Sequence, residues 1–221
     1  MGLKTRSIIC AALAMMLWAG AAMAADRCVE YSNSGQYDNA ISACTDEINS
    51  GTDTGDNLAG DYILRGMAYF QKGQYDMVIA DCTKAIELNP SVSLVPAYYF
   101  RGAAYSLKGQ YDLAISDYSK AITIDPSYEL AYNNRGYAYN GEGRYDLAIA
   151  DYNKAIELKP DFANAWYNRA VAYALKSDKK SALKDLAKAI ELDNRFKDYA
   201  KTDKGLESLL EDPDFKKLVG N

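Results

Sequence analysis

Small and aromatic residues recur along this chain at helical spacing, and the spacing itself repeats. Tyr98, Gly102 and Tyr105 fall at i, i+4 and i+7, which is one face of an α-helix. Ala114, Tyr118 and Ala121 take up the same spacing a short way on. Between the two runs stands Lys108-Gly109-Gln110; Gly109 suits the left-handed conformation that closes a helix. Asp112 follows at the start of the second run, where the helix dipole favours a negative charge. Pro126 then stops the helix. The pattern predicts a hairpin of two antiparallel helices. Gly102, Ala114 and Ala121 let the helices approach closely, and the tyrosines fill the space around them.

The hairpin is one of a series. Gly66, Gly102, Gly136 and Ala170 are equivalent anchors spaced by 36, 34 and 34 residues, the two extra ones falling in the loop from Ser91 to Pro96. Three residues beyond each anchor stands Tyr69, Tyr105, Tyr139 or Tyr173, and four before it Tyr62, Tyr98, Tyr132 or Trp166. Ala85, Ala121, Ala155 and Ala189 lie nineteen beyond, each followed by Ile. Pro90, Pro126 and Pro160 close three units, and Asn194 takes that place in the last. A degenerate first unit, from about residue 26 to 50, keeps Tyr31, Gly35-Gln36-Tyr37 and Ala40. The polar stretch from Asn49 to Asn57 is predicted to be a mobile loop. Beyond Asn194 the pattern fades into Phe196, Tyr199, Leu206, Leu209, Leu210, Phe215 and Leu218, which suggest short capping helices.

These residues resemble the tetratricopeptide repeat, whose 34-residue pattern runs Trp/Tyr, Gly/Ala, Tyr, then Gly-x-Tyr, Ala, Tyr/Phe, Ala and Pro. Gly109-Gln110-Tyr111, Ala114, Tyr118, Ala121 and Pro126 reproduce its second half, and the likeness extends over about residues 26–196. The resemblance implies an all-α fold: a right-handed α-solenoid of helix-turn-helix repeats with a C-terminal helical cap. The divisions it implies are 25–58 (degenerate first repeat and loop), 59–94, 95–128, 129–162, 163–196 and a cap over 197–221. It further implies a concave groove in which another protein binds.

The N-terminus reads as an export signal. Lys4 and Arg6 precede an apolar run from Ile8 to Gly20, and Ala22-Met23-Ala24 offers small residues for cleavage after Ala24. The alternative is a retained anchor, for which the run is short. The chain is acidic, with a net charge of −5 before Lys4 and Arg6 are removed. It has no basic tract and no second long apolar run. Neither nucleic-acid binding nor membrane insertion after cleavage is therefore expected. The expected compartment is the periplasm or the exterior.

Little points to chemistry. With no histidine and no CxxC spacing, a zinc site and a histidine-based nucleophilic triad are not expected, and no cofactor is implied. Cys28 takes the anchor position and Cys44 the place of Tyr118, two positions that face each other across the first hairpin. In an oxidising compartment a disulfide follows; two buried thiols are the alternative. Cys82 takes the same aromatic place in the second unit and reads as a buried thiol, or as a second candidate partner for Cys44. Arg65, Arg101, Arg135 and Arg169 each precede Asp81, Asp117, Asp151 and Asp185 by sixteen residues. They predict a ladder of structural ion pairs at the edge of the core, contributing about 0.2–1 kcal/mol each if partly exposed.

One helical step from the core stripe lie the residues expected to line the groove. Tyr99, Asn133, Asn134, Tyr137, Asn140, Tyr167 and Asn168 are the expected peptide contacts. The first-helix positions that carry lysine in carboxylate-binding members of the family read Ile63, Tyr99, Asn133 and Tyr167, so a carboxylate clamp is not expected. The expected function is a non-catalytic adaptor for another protein in a bacterial envelope. Self-association into a homo-oligomer through the end repeats is the alternative, and an enzyme with a carboxylate site comes last.

Overall fold

The computed structural model describes residues 27–51, 53–88 and 93–220; the export signal expected before them lies outside the described residues. Every regular element among the described residues is helical. The α-helices are α1 Arg27–Asn33, α2 Tyr37–Ser50, α3 Gly55–Gln71, α4 Tyr75–Glu87, α5 Val95–Leu107, α6 Tyr111–Ile124, α7 Glu129–Gly141, α8 Tyr145–Leu158, α9 Ala163–Leu175, α10 Lys179–Leu192, α11 Phe196–Ala200 and α12 Pro213–Val219. A 3-10 helix, Lys204–Leu209, separates the last two. The described helices are too short or too polar to cross a membrane.

The chain forms two compact units that divide within α5, one ending at Ala104 and the other beginning at Tyr105. In the first unit α1 packs on α2, α2 on α3 and α3 on α4, and α1 also touches α3. In the second, α6 through α10 pack in the same consecutive manner and α7 touches α9. Contact between alternate helices is what stacked hairpins produce, because each hairpin buries its apolar side only against the next.

The turns explain why the units repeat. Gly35, Gly73, Gly109 and Gly143 all have φ between 71° and 75°. In the third hairpin the amide of Gln110 donates to the Tyr105 carbonyl at 2.9 Å, and that of Gly109 to Ser106 at 3.0 Å. This paired closure satisfies the orphan carbonyls at the helix end. The first, second and fourth hairpins repeat it. The fifth does too, but with Ser177 in the left-handed position at φ 64°. The expected loop at Asn49–Asn57 is shorter than its composition suggested. Helix α2 continues to Ser50 before Gly51 closes it at φ 66°, and α3 starts at Gly55.

The anchors are points of close approach. A Cβ on Gly136 would stand 2.7 Å from Cε1 of Tyr152, and one on Gly66 would stand 3.2 Å from Sγ of Cys82. The cap is a packed structure. Leu206, Leu209, Phe215 and Val219 are buried with Leu186, Ala189 and Phe196; full burial of a leucine side chain is favourable by about 1.5–3 kcal/mol. Asp212 caps α12 by accepting from the amides of Asp214 and Phe215 at 2.9 and 3.1 Å, and it pairs with Lys179.

Candidate functional site

In the second, fourth and fifth hairpins an ion pair positions the first helix against the second. Arg65 donates from Nε and Nη2 to the two oxygens of Asp81 at 2.8 and 2.7 Å. Arg135 grips Asp151 at 2.7 and 2.7 Å, and Arg169 grips Asp185 at 2.6 and 2.9 Å. The third nitrogen reaches the preceding hairpin, to Thr45, Ser119 and Asn153 respectively. Aromatic rings flank each guanidinium: Tyr132 and Tyr139 lie 5.6 and 6.0 Å from that of Arg135. Arg101 donates to Thr83, and Asp117 is buried.

The arginine side chains of these pairs keep 13–19% exposure, in line with their place at the edge of the stripe, while their partners lie deeper. Asp81, Asp151 and Asp185 are only 2–6% exposed. The flanking rings and the neighbouring hairpin close over them. Hydrogen bonding to Asp151 holds the Arg135 guanidinium above its ordinary value, and Asp81 does the same for Arg65.

Cys28 and Cys44 form a disulfide joining α1 to α2, with a Cα–Cα distance of 4.7 Å, so Cys44 does not pair with Cys82. Cys82 is a buried thiol behind Gly66. Oxygens of Glu47 and Asp61 lie within 4.8 Å of Cys28 Sγ. That sulfur is committed to Cys44 and offers no thiolate for a metal.

The expected groove residues divide into two groups. Tyr99, Asn133 and Tyr167, at one shared repeat position with Ile63, are all buried. Tyr99 packs edge-on against Phe100 at 5.4 Å. Asn133 donates to Asn134 and accepts from Asn168, each at 3.0 Å. Tyr167 donates to Asp203 at 2.8 Å and stacks on Phe196 at 4.5 Å. Those three are therefore corrected from peptide contacts to interior groups; the position faces inward, one step short of the open surface. Asn134, Tyr137, Asn140 and Asn168 remain half-buried at the surface of α7 and α9. Asn140 donates to the Tyr152 hydroxyl at 3.2 Å.

Residues beyond the repeats complete this face, and the repeat pattern did not flag them. Asp203 holds Tyr167, while Gly205 lies against Val171, where a Cβ would come within 2.5 Å of Cγ1. Gly141 lies as close to the Tyr111 ring. Burial, then the neighbouring Tyr111 and Asp203 themselves, push the Tyr137 hydroxyl pKa up. Burial and then Asp203 push that of Tyr167 up as well. Both shifts run away from ionisation at neutral pH, so these hydroxyls serve as hydrogen-bonding groups.

Stacked helical hairpins with cross-linked helices and an amide-rich first-helix face define an α-solenoid of the interaction-scaffold class. Residues 61–92 and 95–128 match the tetratricopeptide repeat, 138–177 match a TPR repeat and 163–196 match a further tetratricopeptide repeat profile. The chain belongs to the tetratricopeptide repeat family. No curated protein matches it. Among solved structures it is similar to MamA, with 27% identity and a TM-score of 0.68 over 78% of this chain and 98% of that one. It is also similar to YrrB, a TPR protein with an unusual peptide-binding site, with 23% identity and a TM-score of 0.65 over 79% of this chain and 88% of that one.

Proposed function

We propose that this protein is a non-catalytic adaptor of the bacterial cell envelope, binding an extended peptide or a protein surface on the outer face of α7. The observation that carries the reading is the pair Asn134 and Tyr137. Both are half-buried along one face of α7, and Asn133 and Asn168 tie α7 to α9 behind them. Carboxamides pair with both the N–H and the C=O of a peptide backbone, and a tyrosine adds apolar area with a polar tip. Because the helices beneath are clamped, little ordering entropy is lost on binding.

The envelope location is supported by the export signal at residues 1–24 and by a disulfide in the first hairpin, which suits an oxidising compartment. The binding test is capture from an envelope extract with the wild-type protein and with Asn134→Ala/Tyr137→Ala. A central aromatic contact is worth about 2 kcal/mol or more, so retention should fall roughly thirtyfold while helicity is unchanged. Undiminished capture of every partner by the variant overturns the reading. Mass spectrometry of the purified protein tests cleavage of the signal: an N-terminus at Ala25 is expected, and retention of Met1 overturns cleavage after Ala24.

A further inference from the structure

The two ends of the repeat series depart from the repeat pattern in opposite senses of charge. In the fourth hairpin the outer face of α8 carries Ile149 and Ile156. Ile149 packs in one cluster with Ala172, and Ile156 in another with Ala165, so α9 covers both. Thirty-four residues on, the same positions of α10 are Leu183 and Ile190, and no further repeat follows to cover them. The cap helices cover them only in part. Leu183, Ala187, Ile190 and Leu218 line an open groove bordered by Lys180 and Lys184. Those exposed lysines stand where α8 has Asp146 and Ala150.

The leading end shows the reverse substitution. Ala68, Ala104, Ala138 and Ala172 are equivalent and all buried. In the first unit their place is taken by Glu30, which is exposed on α1. Residues 27–61 contain seven acidic residues and one basic residue, Arg27. An acidic helix thus begins the series, and a lysine-bordered apolar groove ends it. By repeat equivalence, a first helix docked on α10 would bring its residue at the alanine position to Leu183, as Ala172 lies in one cluster with Ile149. In a second copy of this chain that residue is Glu30, placed between Lys180 and Lys184.

We propose that the groove on α10 binds the first hairpin of a second copy, giving head-to-tail association with Glu30 against Lys180 and Lys184. A contact between two dissimilar faces is heterologous, so it extends into rings or filaments and not only dimers. Its charge pairing makes it sensitive to salt.

Sedimentation velocity on the purified protein over the micromolar range tests this. At low salt the average mass should rise with concentration, and added salt should reverse the rise. Lys180→Glu/Lys184→Glu and Glu30→Lys should each weaken association by about tenfold or more. Combining Glu30→Lys with Lys180→Glu/Lys184→Glu should restore it. Circular dichroism identifies any variant that has failed to fold, in which case Ile190→Ser replaces it as the groove variant. The proposal is overturned by a monomer at all concentrations, by association that ignores the groove variants, or by a triple variant no better than its parents. Salt-sensitive binding to vesicles of anionic lipid without self-association also overturns it, because the groove would then serve a membrane surface.

Discussion

The first and fourth hairpins solve one problem with different chemistry. In α7–α8 the cross-helix tie is ionic: Arg135 and Asp151, sixteen residues apart, join at 2.7 Å under a cover of tyrosines. In α1–α2 the equivalent of Asp151 is Ala43, and no such pair can form there. One position along, Cys28 and Cys44 make a covalent tie over the same separation of sixteen. Elsewhere the positions of these cysteines hold a small residue against a larger one: Gly66 and Cys82, Gly136 and Tyr152, Ala170 and Leu186. An interior hairpin has neighbours on both sides to keep its ion pair dry. Among the described residues the leading hairpin packs on a neighbouring hairpin on one side only, and a buried ion pair there would be wetter and weaker. A covalent link needs no such cover.

This contrast can be broken at either tie. Arg135→Leu should have the largest effect, a loss of about 3–5 kcal/mol, because it leaves the Asp151 carboxylate buried and unpaired. Arg135→Leu/Asp151→Leu should be much less harmful; equal losses in denaturant titrations would show that the pair itself, and not the orphaned charge, carries the cost. Reduction of Cys28–Cys44 comes next, at about 3 kcal/mol for a loop of this length. Hydrogen exchange should then accelerate in α1 and α2 before it does in α7 and α8. Gly136→Ala should cost about 1–3 kcal/mol by forcing a methyl group into the Tyr152 ring, and Gly66→Ala should cost less because the sulfur behind it stands farther off. The smallest effect is a gain. Ser177→Gly relieves the left-handed serine and should add about 1 kcal/mol, seen as a raised melting temperature.

The hairpins were legible because their determinants are local and recur. A glycine at four of the five hairpin turns and small residues at the helix crossings admit few other arrangements. The reach of each Arg–Asp pair was legible for the same reason, since sixteen residues span one antiparallel hairpin. Its burial was not legible from spacing alone, because the cover comes from rings at i−3 and i+4 together with the preceding hairpin. The binding face was read one helical step too deep at Tyr99, Asn133 and Tyr167. A residue beside a core stripe faces outward or inward according to what packs over it. For Tyr167 that cover is Phe196 and Asp203, in a segment with no repeat pattern to place it.

The sulfur bridge also changes how the chain bears a load. A pull applied upstream of Cys28 passes through the bridge to Cys44 and on into the end of α2, leaving the turn at Gly35 slack. The sixteen-residue span it bypasses would otherwise pay out about 55 Å of extended chain. Tension from that end therefore reaches the seam between α2 and α3 while the leading hairpin is still coiled.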